Sequence, residues 1–456
     1  YEYASRYLAE FNMGYNGTEN FAKGKRFGFF PAVSLGWVIS EEKFFPKNNI
    51  VKYLKVRGSY GEVGNDQIGG DRFLYLPSSY GAASDSGVNK YNFGLASNPY
   101  TSLMIVENKI GNPDLTWEKA KKMNVGVDIN LFNNCLTASF DIFKEKRNNI
   151  LANRSTSPMI IGANLPAYNF GEMENRGWEM DLNFRHHIQD FHYWARFNYS
   201  FARNEIIYMD EVQKRYDYQM TTGRRKNQFF GLIFDGYYNS WEEINALDRP
   251  KSSWSGNQLQ PGDVKYVDVN QDGVIDDYDM VPIGYTPVPE IIYGFSFGAQ
   301  YKGFDFSILF QGADNVSIKY FGRSMWPFAK GEESAKSLIK ERWTQERYEA
   351  GEKITFPRLS LNPNGETDHN YRPSTLWIRD ASYLRLKNLE VGYTFTGGFV
   401  KRLNLNSVRL YFNGSNLFTW TDVVDLDPEA PSRSGNVEIN TYPLQKVYNI
   451  GLNINF

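Results

Sequence analysis

The residues best suited to chemistry lie in the run Asp268-Val-Asn270-Gln-Asp272-Gly273-Val274-Ile-Asp276-Asp-Tyr-Asp279. Oxygen donors fall at positions 1, 3, 5, 7, 9 and 12 of this run, with glycine at position 6. Hard divalent cations need such a set, and the glycine permits the turn that makes it converge. The spacing predicts a structural Ca²⁺ site. Asp268, Asn270, Asp272 and Asp279 are expected to ligate through side chains, Val274 through its carbonyl, and Asp276 directly or through water. The four ligating carboxylates would repel one another without an ion between them. Aspartate at position 12 is shorter than the usual glutamate, so the expected affinity is weak, about 10⁻⁴–10⁻³ M.

No other constellation predicts chemistry. The four histidines, His186, His187, His192 and His369, have no HExxH or other zinc spacing, and three cluster at a predicted turn, where a solvated role is the plain reading. There is no GxSxG, P-loop or GxGxxG. Cys135, the single cysteine, sits beside a turn with no evident base and excludes an intrachain disulfide. The expectation is a non-enzyme with no catalytic residue and no organic cofactor.

The elements that would carry the acidic loop are strands. Met123, Val125, Val127, Ile129 and Leu131 alternate with Asn124, Gly126, Asp128 and Asn130. After Asn133-Asn134 the alternation resumes through Leu136, Ala138, Phe140 and Ile142. Trp178 to Phe184, Tyr193 to Phe201, Ile291 to Ala299 and Phe304 to Phe310 repeat it, and Lys302-Gly303 is two-residue hairpin chemistry. The phase slips at Lys387-Asn388, as a β-bulge would make it. About twelve strands follow from this periodicity, near 3–15, 28–40, 51–63, 117–132, 136–148, 176–186, 191–204, 290–301, 304–313, 382–395, 408–416 and 446–456. One helix is expected near 332–349.

A soluble sandwich also alternates, but the loops separate the two. Short turns at 132–135, 186–190 and 302–303 face long polar excursions at 64–116, 149–172, 205–288, 314–380 and 417–445. That asymmetry is a property of outer-membrane barrels. Aromatics make up 16 % of the chain, with 31 Tyr and 33 Phe, while all hydrophobic residues reach only 41 %. Such a balance suits strands with one apolar face, and no run approaches the roughly 18 apolar residues of a spanning helix. A net charge of −2 gives no reason to expect nucleic acid as a partner. The last strand carries Tyr448, Ile450, Leu452, Ile454 and Phe456 on one face, and a terminal aromatic there resembles an outer-membrane targeting signal. With the short turns periplasmic, twelve strands place Phe456 in the periplasm. The chain opens on Tyr1 without a signal peptide, which reads as a mature fragment lacking its N-terminal part.

Several blocks resemble the SusC/RagA family of TonB-linked outer-membrane proteins. They are RYLAEFNMGYNGTENFAKGKRFGFFPAVSLGWVISEEKFF (6–45), YLKVRGSYGEVGN (53–65), NPDLTWEKA (112–120), DVNQDGVID (268–276), YLRLKNLEVGYTF (383–395) and SNLFTW (415–420) with DPE (427–429). They span the chain in the family's order. NGTENF (16–21) departs from the basic, serine-rich hairpin tip that is more usual there. The resemblance implies an all-β transmembrane antiparallel barrel of about 22 strands with a plug, of which residues 1–456 would form the C-terminal half. Twelve strands alone would leave two unpaired edges in lipid. The implied function is TonB-dependent import of an oligosaccharide or peptide across the outer membrane of a Bacteroidetes-like Gram-negative bacterium. The implied partners are a SusD-like surface lipoprotein lid and the TonB complex, reached through the absent N-terminal half. Tyr75, Tyr80, Tyr237, Tyr238, Trp241 and Trp326 in the long loops are candidates to contact lid and ligand. The other reading of the pattern is a secreted all-β glycan-active enzyme or carbohydrate-binding module.

Overall fold

A computed structural model describes residues 1–456 apart from short stretches within 70–109, 157–164, 255–258, 321–336, 362–367 and 425–442. Twelve long antiparallel strands run through it in sequence order. They are β1 (Tyr7–Gly17), β2 (Phe27–Val38), β3 (Val51–Asn65), β4 (Glu118–Leu131), β5 (Leu136–Ala152) and β6 (Tyr168–Ile188). After them come β7 (Phe191–Tyr208), β8 (Ile291–Tyr301), β9 (Phe304–Asp314), β10 (Tyr383–Phe395), β11 (Ser407–Thr421) and β12 (Val447–Asn455). Each pairs with its sequence neighbours, and a two-residue strand, Glu2–Tyr3, pairs with β1 at the first edge. All twelve expected strands are present. The largest difference is β6, which at 21 residues runs well beyond the expected 176–186.

The register puts the apolar residues of successive strands side by side. Ile129, Ala138, Leu182, Phe197, Phe295 and Phe310 form one such row from β4 to β9. Val125, Ile142, Trp178 and Phe201 form another nearer the long loops. Because side chains alternate with period 2, all of these share the outward face. The belt ends where charge takes over the same face: Lys144 follows Ile142, and Arg176 lies opposite it on β6. At the other end Phe191, Tyr193, Tyr301, Phe304 and Tyr393 gather near the short turns. Aromatic girdles of this kind bound the apolar band of spanning barrels.

Turn chemistry fixes the short end. Lys302 and Gly303 both have positive φ (44° and 91°), the backbone of a type I′ hairpin. Asn133 and Asn134, at φ 56° and 67°, close β4–β5. The expected slip at Lys387-Asn388 is a bulge: β10 shifts register between Leu386 and Asn388 against β11. In β12, Leu452 pairs with Leu410 and Ile450 with Phe412, so the even-numbered residues share the outward face as expected.

The long excursions are not structureless. Segments between β7 and β8 and between β9 and β10 fold together over the mouth around a common core. Leu232 and Val264 are fully buried there, with Ile275, Phe356, Tyr371, Trp377 and Ala381. Two short strands, Ser317–Tyr320 and Ile378–Asp380, pair within the layer. The expected helix near 332–349 is reduced to a 3₁₀ turn, Ser337–Glu341, and one α-turn, Gln345–Glu349; residues 332–336 lie outside the described residues. Thr344 causes the break. Its hydroxyl accepts the Arg347 N–H at 3.3 Å and starts a new helix after Trp343 has paired its backbone with Phe356.

Candidate functional site

The inward face of the sheet carries the charge. Arg57 of β3, Gly126 of β4 and Asp141 of β5 lie in register on three adjacent strands. The Arg57 guanidinium crosses the glycine to reach Asp141 at 2.6 Å and Asp128 at 3.1 Å, and Ser139 donates to Asp128 at 2.8 Å. Glycine is required at the crossing, since a Cβ on residue 126 would stand 2.6 Å from Asp141 Oδ1 and 2.7 Å from Arg57 Cζ. The same device recurs on β9–β11. Arg409 bridges Asp305 and Glu390 over Gly392, where a Cβ would meet Asp305 Oδ2 at 2.7 Å. These ion pairs strap neighbouring strands together on the inward face.

Nearer the mouth the pairs are more deeply buried. Glu290, at the foot of β8, is 4 % exposed; it accepts from Arg203 at 2.8 and 2.9 Å, from Asn315 at 3.2 Å, and from Arg225. A cavity of about 680 Å³ opens beside it, lined among others by Glu118, Glu145, Arg147, Asn175 and Arg225. Arg385 of β10, 2 % exposed, holds Asp427 at 2.6 Å and Glu429 at 2.7 Å, and Lys387 at the bulge adds a 3.1 Å contact to Glu429. Burial alone would raise the Asp427 carboxyl. The N–H groups of Glu429 and Leu444, with Arg385, hold it below the ordinary carboxylate range. The DPE run at 427–429 is therefore pinned to the barrel wall.

In the layer over the mouth, a buried polar network centres on Asp263, while the hydroxyls of Tyr237 and Tyr371 are buried without a hydrogen-bond partner among the described residues. Asp263 forms an ion pair with Arg358 at 2.6 Å and accepts from the Gln260 N–H at 2.7 Å and from Asn370 Nδ2 at 2.7 Å, while Asn370 Oδ1 accepts the Val264 N–H. His369 Nε2 lies 2.8 Å from the Val264 carbonyl and Nδ1 lies 2.9 Å from Ser252 Oγ. A carbonyl only accepts, so Nε2 carries the proton and Nδ1 accepts from the serine. Burial pushes the imidazole pKa down, against the Val264 carbonyl and the charges of Asp263 and Asp368.

The predicted calcium residues occupy one tight loop in this layer. Gly273 has φ 81° and Ile275 is buried, its backbone paired beside Ser252. Asp268 accepts N–H groups from Gln271 (2.7 Å) and Gly273 (2.8 Å), Asn270 from Asp272 (2.9 Å), and Asp272 from Val274 (3.0 Å). Asp276 caps the next turn through the Tyr278 N–H at 2.7 Å. Asp279 is fully buried and reaches back to the N–H groups of Val269 (2.8 Å), Asn270 (3.3 Å) and Asp276 (2.9 Å). Position 12 thus closes the loop onto positions 2 and 3. The donor set is all oxygen and suits a hard cation. Its carboxylates, however, engage backbone N–H groups, and among the described residues no three His, Cys, Asp or Glu side chains gather at metal-holding distance. Burial raises the Asp279 carboxyl despite its three N–H donors, and Asp268 adds to the shift.

The loop aromatics divide. Tyr237 and Tyr238 are buried, and Trp326 packs on the core of the layer, so these three are internal packing. Trp241 is exposed, Tyr75 packs edge-on against Phe73, and Tyr80 lies outside the described residues. A cluster that sequence reasoning missed clasps the acidic loop. Tyr216 and Tyr218 stack at 5.2 Å, Arg215 lies 4.9 Å from the Tyr278 ring, and the Tyr218 hydroxyl donates to the Tyr278 carbonyl at 2.6 Å. The alternation Tyr216-Asp-Tyr218 was its only sequence signal.

The profile of the family described as TonB dependent receptor-like, beta-barrel, matches residues 1–417. TonB-dependent receptor SusC of Bacteroides thetaiotaomicron is 28 % identical over 462 residues, covering 100 % of this chain and 43 % of its own length. TonB-dependent receptor P3 of Formosa agariphila is 28 % identical over 475 residues, covering 100 % of this chain and 44 % of its own length. The chain spans less than half the length of these relatives. Among solved structures, the RagAB peptide transporter aligns over 99 % of this chain and 46 % of its own, with TM-score 0.72 and 24 % identity, a likeness of fold. Twelve strands, an apolar outward face and a charged inward one therefore form part of a larger barrel, and the chain belongs to the TonB-dependent receptor-like β-barrel family.

Proposed function

We propose that this chain is the C-terminal half of a TonB-dependent importer that takes a large nutrient, an oligosaccharide or a peptide, across the outer membrane. The observation that carries the reading is the division of the sheet. An apolar belt faces outward, ion-pair straps line the inward face, and a folded layer of loops stands at one end only. A barrel built this way has a lipid face, a polar interior and an outer vestibule. The greater length of the relatives leaves room for the remaining strands, a plug and the segment that meets TonB. With the short turns periplasmic, the C-terminus is periplasmic and the loop layer faces outside. That layer is where a SusD-like surface lipoprotein would close over the mouth. RagAB, which shares the fold, is a peptide importer, and this supports peptide as one substrate class. The protein does no covalent chemistry on its cargo in this reading. The acidic loop 268–279 binds Ca²⁺ through Asp268, Asn270, Asp272, Val274, Asp276 and Asp279, and so orders the layer.

Growth of a deletion strain on defined glycans and peptides tests the importer. Loss of growth on one substrate class, restored by the full-length gene, is expected; unchanged growth and uptake on every class would refute it. Purification of the full-length protein from native membranes should bring down a surface lipoprotein at a fixed ratio, and its absence would remove the lid.

A further inference from the structure

We propose that His187 and His192 form a two-imidazole site for a divalent transition-metal ion at the short-turn rim of the inward face. The two residues stand directly opposite each other in the β6–β7 ladder, one pair above the Ile188–Phe191 pair that closes the hairpin. Directly opposed residues have Cβ atoms about 4.5–5.5 Å apart, so the strands hold both rings ready without further ordering of the chain. Their ring centroids lie 5.5 Å apart with the planes 25° from parallel. Two imidazoles sharing one tetrahedral ion at the usual Zn–N distance have centroids roughly 5 Å apart. Ring rotation alone converts one arrangement into the other.

The nitrogens are free to bind. Among the described residues neither His187 nor His192 has a ring hydrogen bond, whereas both nitrogens of His369 are engaged and His186 Nδ1 sits 2.8 Å from the His187 carbonyl. The alternation sends His186 outward, stacked on Tyr193 at 5.8 Å, and sends His187 and His192 inward together. Imidazole pairs select Zn²⁺, Cu²⁺ or Ni²⁺ over hard cations, so the ligand class differs from that of the acidic loop at the opposite end of the barrel. No third His, Cys, Asp or Glu joins them at metal-holding distance among the described residues. Water fills the remaining positions, and the site stays open to the lumen. Arg185 shares the inward face and opposes a cation, while Asp190 in the turn favours one. A bound ion ties β6 to β7 at the tip.

The test uses the full-length transporter, purified in detergent without a histidine tag, titrated with Zn²⁺ against a chromophoric chelator. One ion per chain is expected. Removing a ligand costs no less than the about 10–100-fold typical of outer-shell partners, so His187→Asn and His192→Asn should each weaken binding at least tenfold, with His186→Asn unchanged. Equal affinity in the wild type and the double variant would overturn the proposal, as would an equal loss in His186→Asn. Electron paramagnetic resonance of the wild type with one equivalent of Cu²⁺ needs no variant. A two-nitrogen pattern supports the pair, and an oxygen-only or single-nitrogen pattern sinks it.

Discussion

Two adjacent residues on β5 test the assignment of faces most directly. Ala138 shares the outward row with Ile129 and Leu182, and Thr137 faces inward between Asn130 and Asn183. Arginine at either position adds the same charge and the same bulk. Replacing Ala138 removes no large side chain, so its cost is that of placing a guanidinium against lipid. Ala138 lies near the middle of the outward run Leu136, Ala138, Phe140 and Ile142, and Lys144 is the first charge above it. A midplane arginine on the lipid face of a barrel costs about 2–4 kcal/mol, roughly 30- to 1,000-fold in the folding equilibrium. Thr137→Arg gains carboxylate neighbours instead, with Asp128 and Asp181 one step away diagonally. The full-length protein assembled in cells or lipid vesicles, followed by heat-modifiable gel mobility, should show a large loss of folded barrel for Ala138→Arg. Thr137→Arg should stay close to wild type. Equal assembly of the two, or a greater defect in Thr137→Arg, would show that the faces are assigned the wrong way round.

Arg385→Ala should free the 427–429 segment. It leaves Asp427 beside the wall without its cation and Glu429 with Lys387 alone, a loss of about 3–5 kcal/mol for a buried pair, and limited proteolysis should then cut within 422–446 while the barrel survives. His369 makes the loop layer acid-sensitive. Its folded pKa lies below the unfolded value of about 6.5, so its contribution is complete above that pH and declines as pH falls through the folded pKa. After division by the intrinsic amide exchange rate at each pH, protection in 264–266 and 369–378 should fall from pH 7.5 to pH 5 in the wild type and lose that dependence in His369→Gln; the same fall in protection in both would refute the assignment. Ca²⁺ at millimolar concentration should slow exchange across 268–279, and Asp272→Ala should abolish the effect without altering assembly. Identical exchange with and without Ca²⁺ would remove the ion from the loop.

What the sequence disclosed and what it withheld follow from the range of the interactions. A strand with one apolar face writes its period locally, so Val125-Gly-Val127-Asp-Ile129 identifies itself, and the bulge at Lys387 shows as a phase slip between Leu386 and Leu389. The inward straps were visible only as polar alternation. Arg57 and Asp141 are 84 residues apart, and their meeting depends on the register of two hairpins and on a glycine between them. The loop layer was less legible still. Tyr237 and Tyr238 look like surface aromatics in a polar loop, but Val264 and Trp377, contributed from distant segments, share a core with Tyr237, and Ile244 and Leu259 cover Tyr238.

The acidic loop falls between these cases. Its spacing is local and was readable, and the chain does fold it into a ring with position 12 closing on positions 2 and 3. The sequence could not show that backbone N–H groups compete with a cation for the same oxygens. Asp279 carries that competition. Buried with three N–H donors, it still has a raised pKa, chiefly because burial penalises its charge and in smaller part because Asp268 lies near, so the ionised loop holds an excess of negative charge away from water. A proton or a divalent ion relieves that excess equally well in kind. Lowering the pH should therefore order 268–279 in calcium-free buffer in the direction that Ca²⁺ orders it near neutrality.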